Sequence, residues 1–147
     1  MCMPLPRRAQ RCCTLRRERA AAYAPGRPLR VLEVGAGDGR LAHHLLAALR
    51  DAGAEHAVAL TATDSGARGL HAASPCAALV QLAPCDASLL SREQPDLVLA
   101  CWMPFACDWT AAFRACATVR EYVLIGEADD GICLAMGDLG PRAARGW

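Results

Sequence analysis

The chain predicts an α/β fold built on a doubly wound, mostly parallel sheet. Three observations carry that expectation: short runs that are apolar throughout recur along the sequence, segments of helical or loop composition separate them, and the first run stops at a cluster of three glycines. Strands covered by helices on both faces lose the polar alternation of a half-exposed sheet, so continuous apolar runs are what such a sheet requires. At 147 residues and 54% hydrophobic content, the chain has the size of one domain and enough apolar surface for one core.

The elements follow in order. Leu29-Arg30-Val31-Leu32-Glu33-Val34 reads as the first strand. After the glycines, Arg40 to Arg50 sets Leu41, Leu45, Ala48 and Leu49 at helical spacing, so the loop opens into an amphipathic helix. Ala57 to Thr63 is the second strand; it ends at Asp64, and Ser65-Gly66 turn the chain. The third is Ala78 to Leu82, ending near Asp86, and the fourth is Asp96 to Cys101, ending at Trp102. Thr110 to Ala117 is helical in composition with Asp108 placed as its N-cap, and Glu121 to Ile125 is the fifth strand, stopping at Gly126. Ile132 to Met136 has the composition of one further short strand, after which Gly137 to Pro141 breaks regularity and the tail is Arg-rich. The expected division is therefore a basic N-terminal extension or helix over 1–26, a ligand-binding domain over 27–136 and an irregular tail over 137–147.

Composition removes several functions. All sixteen basic residues are Arg, so neither Schiff-base chemistry nor the lysine-dependent phosphate loop can operate. A net charge of +1 gives no global drive toward nucleic acid or acidic lipid. No apolar run reaches the roughly 18 residues of a membrane span. The nine cysteines contain no C-x-x-C pair and read as reduced thiols packed as small hydrophobes, which places the chain inside the cell, in the cytoplasm by preference. Within residues 1–26, Arg7, Arg8, Arg11, Arg16, Arg17 and Arg19 face the single acid Glu18, a balance compatible both with organelle targeting and with a helix that packs on the domain. His43, His44, His56 and His71 show neither metal nor triad spacing, and no serine stands in a nucleophile-elbow setting, so no metal site is expected and no catalytic residue can be assigned.

Chemistry concentrates at the carboxyl ends of the strands, where open parallel sheets bind ligands. The glycines of Gly35-Ala36-Gly37-Asp38-Gly39 are spaced G-x-G-x-G, and Glu33 precedes them by two residues. A nicotinamide fingerprint is spaced G-x-G-x-x-G and holds an anionic pyrophosphate on the helix N-terminus. Here the third glycine arrives one residue early, and the carboxylate of Glu33 is awkward for an anion. It suits a ligand carrying an ammonium and a sulfonium. No Tyr-Lys pair supports an oxidoreductase either.

Glu33-x-Gly35-x-Gly37-x-Gly39 resembles the first motif of the class I S-adenosylmethionine-dependent methyltransferases, whose fold is Rossmann-like. The resemblance spans about Leu29 to Gly126. It implies that the loop, Ala36 included, contacts the methionine part of S-adenosylmethionine. It also implies that Asp64, with Ser65 beside it, bonds the ribose hydroxyls, that Asp86 lies by the adenine amino group, and that Cys101 and Trp102 lie beside the methyl group. The stretch from Trp102-Met103-Pro104-Phe105 through Asp108-Trp109-Thr110 to Glu121–Glu127 is also similar to uncharacterised methyltransferase-like proteins of plants and algae, which names no substrate.

Trp102, Met103, Pro104, Phe105, Asp108 and Glu127 are the expected acceptor-binding residues. Aromatic faces can hold a planar acceptor or favour a sulfonium. The segment partly resembles the [Asp/Asn/Ser]-Pro-Pro-[Tyr/Phe/Trp] motif of amino-methyltransferases, but Trp102 replaces the polar first residue and Met103 the first proline, so nitrogen methylation is not licensed. The methyl acceptor stays open among small molecule, protein and RNA, as does the oligomeric state. Because few residues follow Gly126, three expectations stand together: a minimal enzyme, a fragment of a longer product, or a noncatalytic S-adenosylmethionine-binding or interaction module.

Overall fold

The structure, a computed structural model, describes residues 26–70, 74–104 and 107–126. Five strands form one all-parallel sheet: β1 (Leu29–Val34), β2 (Val58–Asp64), β3 (Val80–Leu82), β4 (Leu97–Cys101) and β5 (Glu121–Ile125). Three α-helices are interleaved with them, namely α1 (Arg40–Asp51), α2 (Ala87–Glu93) and α3 (Thr110–Ala115). The strand order is β3-β2-β1-β4-β5. The chain therefore winds outward from β1 to β3, then returns to the other side of β1, which is the doubly wound, Rossmann-like α/β arrangement. The order reverses between β1 and β4, and the crevice outside their carboxyl ends is where such a sheet accepts a ligand. The possible strand at Ile132–Met136, residues 1–25 and the tail lie outside the described residues.

Period-two alternation divides the core between the two faces of the sheet. Leu32 and Val34 of β1 and Val98 and Ala100 of β4 join Leu89 and Leu90 of α2 and Phe113 of α3 in one buried cluster. Phe113 is fully buried there, worth roughly 2–3 kcal/mol against leaving the ring in water. On the other face Ala42 of α1 packs with Ala36 and Ala62, beside Leu60 and Val80. Small residues at this contact bring α1 close to β2. Ala48 is exposed although the sequence pattern put it on the buried stripe, because the helix docks through its first turn and Ala42 is its buried centre.

Several boundaries differ from expectation. Ala77–Leu79 forms a 3₁₀ turn, so β3 starts at Val80 instead of Ala78. Strand β2 begins one residue later than expected and includes Asp64, while α3 ends at Ala115, two residues early. Helix α2 has no counterpart in the sequence pattern. It starts because the Asp86 carboxylate accepts the Leu89 N–H at 2.8 Å and the Ser88 hydroxyl at 2.7 Å, and it ends at Gln94 in the left-handed region.

Asp96 is outside β4 and does more than open it. Its side chain is 2% exposed and takes a bidentate pair from Arg27, both contacts 2.7 Å, together with the Arg30 N–H at 2.9 Å. Its backbone donates to Arg30 O and accepts from Arg120 N–H, each 2.9 Å. One residue thus ties the entries of β1, β4 and β5. The Arg27 guanidinium holds the Asp96 carboxyl below the usual range. A lowered folded pKa means stability that is present above the ordinary value near 3.8 and is lost as pH falls through the folded value. Arg27 is 41% exposed and partly screened, so Asp96→Ala is expected to cost about 2 kcal/mol at pH 7, below the full penalty for opening a buried pair. Urea midpoints at pH 7 and pH 3 check this: the gap between wild type and variant should narrow in acid.

Candidate functional site

The loop between β1 and α1 is shaped by its three glycines, which take φ of 67° at Gly35, 57° at Gly37 and 78° at Gly39. Side chains rarely adopt these left-handed values. Two of the positions are also crowded. A Cβ on Gly35 would stand 2.8 Å from Cη2 of Trp109, and one on Gly39 would stand 2.7 Å from the Cys76 carbonyl oxygen and 2.9 Å from Val80 Cγ2. The loop is therefore pressed between the Trp109 ring on one side and the turn before β3 on the other.

Three of the backbone donors of Gly35–Gly39, those of Ala36, Gly37 and Gly39, are engaged within the chain, as is that of Arg40. Ala36 N–H donates to Thr63 O at 2.9 Å, Gly37 N–H to Asp64 Oδ2 at 3.0 Å, Gly39 N–H to Ala36 O at 3.0 Å and Arg40 N–H to Asp38 Oδ1 at 3.2 Å. A pyrophosphate held at this turn would compete with chain acceptors for those N–H groups. Asp64 also accepts the Gly66 N–H at 2.7 Å, so its carboxylate locks the glycine loop to the end of β2. Each of its oxygens keeps a second lone pair for a hydroxyl donor.

Glu33 lies beneath this loop on the α1 face of β1, paired in register with Ala62 of β2 and Leu99 of β4. Its side chain is 1% exposed, and its Oε2 has no hydrogen-bond partner. Burial pushes the carboxyl up to about 7, opposed by the backbone N–H of Ala42 and reinforced by the negative charge of Asp38. Among the described residues no arginine pairs with it; Arg40 is spent on Asp38 at 2.7 Å and is largely exposed. Glu33, Asp38 and Asp64 together make this end of the sheet acidic. A buried carboxylate without a full set of partners is costly, and perturbed groups of this kind cluster at functional sites.

On the neighbouring strand, β4 ends at Cys101 and Trp102 follows it. Trp102 takes φ of 57°, rare for a side chain with a Cβ, and its N–H donates to Ile125 O at 2.7 Å. The residue is 51% exposed. Met103, by contrast, is buried, and its sulfur accepts the Trp109 N–H at 3.4 Å, so it anchors the loop from within. Pro104 O accepts the Cys107 N–H at 3.1 Å. Asp108, expected as the N-cap of α3, stands one residue before the cap position, which Trp109 holds; its Oδ1 accepts both the N–H of Thr110 at 2.8 Å and its hydroxyl at 2.5 Å, which holds the carboxyl below its ordinary value. Phe105 and Glu127 lie outside the described residues.

The expected cofactor residues are thus found at successive strand ends, but they divide by task. Glu33 and the glycine loop lie at the carboxyl end of β1, next to β2 and β4. Asp64 and Ser65 form the adjoining turn, where the Ser65 hydroxyl accepts the Ala67 N–H at 3.3 Å. Asp86 is exposed and caps α2. Trp109, part of the aromatic segment but not among the expected site residues, touches Gly35 and packs on the core. Its signal was present in the aromatic segment, but the contact joins residues far apart in sequence. Among the described residues, no group of three His, Cys, Asp or Glu could hold a metal, and no helix is long and apolar enough to cross a membrane. Cys76, Cys85, Cys107 and Cys116 are free thiols, and burial raises the Cys85 thiol to about 11. No family model, curated protein or solved structure matches the chain.

Proposed function

We propose that the chain binds S-adenosylmethionine in the crevice between β1 and β4 and transfers its methyl group to an acceptor beside Trp102. The observation that carries this reading is the buried, incompletely partnered carboxylate of Glu33 under a glycine loop in which the Ala36, Gly37 and Gly39 N–H groups are engaged within the chain. That arrangement repels phosphate and stabilises positive charge. The ligand offers an ammonium and a sulfonium, and the ribose hydroxyls can donate to the free lone pairs of Asp64. The bound group would supply an electrophilic methyl on sulfur. The protein's part is to orient it, with acceleration arising from positioning in line with the acceptor.

S-adenosylhomocysteine lacks the sulfonium charge but keeps the ammonium and ribose, so it tests the crevice without turnover. Melting curves are expected to shift upward with either adenosyl ligand, by an amount equivalent to about 2.7 kcal/mol at a hundredfold excess over Kd. NADH should leave the curve unchanged. A shift with NADH and none with the adenosyl ligands would replace the reading with a dinucleotide site. A noncatalytic binding module is the second reading, favoured by the departure of Trp102 and Met103 from the amino-methyltransferase pattern; binding without methyl transfer to any supplied acceptor would select it.

A further inference from the structure

Trp102 combines two features that stability alone disfavours. Its backbone is held at φ 57° although it carries a Cβ, and the residue, large and apolar, is about half exposed. The left-handed conformation costs a non-glycine residue on the order of 1–2 kcal/mol, and such strain persists where surrounding structure enforces it. Here the enforcing contacts are visible: the Trp102 N–H is bonded to Ile125 O, and the next residue, Met103, is locked in the interior by its sulfur contact with the Trp109 N–H. The ring is therefore carried by a fixed backbone just beyond the carboxyl end of β4, the strand paired with β1. Ile125, at the end of β5 and 40% exposed, adds apolar surface at the same sheet end.

Resting on the methyltransferase reading above, we infer that Trp102 is the stacking platform for the acceptor, and that the acceptor is a planar aromatic or heteroaromatic small molecule. A flat, rigid indole face selects for a second flat ring, by offset stacking that a saturated ring of equal size cannot match. The groups that Trp102 and Ile125 present are apolar, so this ledge recognises the ring, not a charge.

The test uses 1-naphthol and its saturated counterpart 2-decalol, titrated into the full chain by NMR with S-adenosylhomocysteine present at saturation, so that neither probe can enter the adenine position. 1-Naphthol is expected to bind about tenfold more tightly than 2-decalol. Trp102→Asn should remove that preference while melting no lower than wild type, because asparagine tolerates the left-handed backbone better than tryptophan. Equal binding of the two probes, or a preference that survives Trp102→Asn, would overturn the inference. So would the absence of naphthol binding in protein that does bind S-adenosylhomocysteine, and that result would leave the methyltransferase reading standing. Naphthol binding with no response to either adenosyl ligand would instead remove the proposed function, and the acceptor role with it.

Discussion

Gly39→Ala is expected to destabilise the fold by about 3 kcal/mol, through two costs that add at one position. The residue sits at φ 78°, where a Cβ is strained whatever the surrounding space. The space is also taken, because the new atom would lie 2.7 Å from the Cys76 carbonyl oxygen and 2.9 Å from Val80 Cγ2. A carbonyl is backbone and cannot rotate away, so α1 or the turn before β3 must move. Gly69→Ala separates the terms: its φ is 63° with nothing within 4 Å of the added Cβ, and it should cost about 1 kcal/mol from strain alone. Urea denaturation of the two variants measures the difference. Equal losses would mean that the Gly39 contact is loose enough to relax.

Glu33→Gln is expected to have opposite effects on stability and on ligand affinity. The carboxyl rises from its ordinary 4.5 to about 7 on folding, mainly because it is buried. A raised folded pKa means that the native state holds the proton more tightly than the unfolded chain. Its stabilising share is therefore complete below pH 4.5 and is lost as pH rises through about 7. Above that, the deprotonated group costs the fold on the order of 3 kcal/mol. Glutamine removes the charge but leaves an amide poorly partnered at about 1 kcal/mol, so the variant should be more stable than wild type by about 2 kcal/mol at pH 8 and no more stable at pH 4. The same substitution should weaken binding of a cationic adenosyl ligand about tenfold, since the field of a buried charge reaches the crevice with little screening. A variant that is less stable at pH 8 would show that Glu33 already has a compensating partner.

Much of the fold was legible in the sequence because its signals are local. β5 spans Glu121–Ile125 as the apolar run predicts, and β1 ends at the glycines because G-x-G-x-G cannot extend a strand. Helix α2 was not legible: seven residues with only Leu89 and Leu90 buried are too few to display a helical period. Its cap, Asp86, stands where a ligand acid was expected, and from one sequence a capping carboxylate and a binding carboxylate look alike. Asp96 read as the first residue of a strand, since nothing local announces that Arg27 and Arg30 converge on it. The position of Glu33 was readable; that its Oε2 lacks a partner follows only from the packing of α1 over β1. Likewise, Trp102 and Trp109 looked equivalent in sequence, yet one projects into solvent and the other presses on Gly35.

Calorimetric titration of the full chain with S-adenosylmethionine at pH 8, repeated on Glu33→Gln, tests most directly whether the acidic glycine crevice is a site for a cationic adenosyl ligand. Saturable binding by wild type, with affinity reduced about tenfold in the variant, is the expected result. Folded wild-type protein that gives no binding at millimolar ligand, or an affinity that Glu33→Gln leaves unaltered, would contradict it.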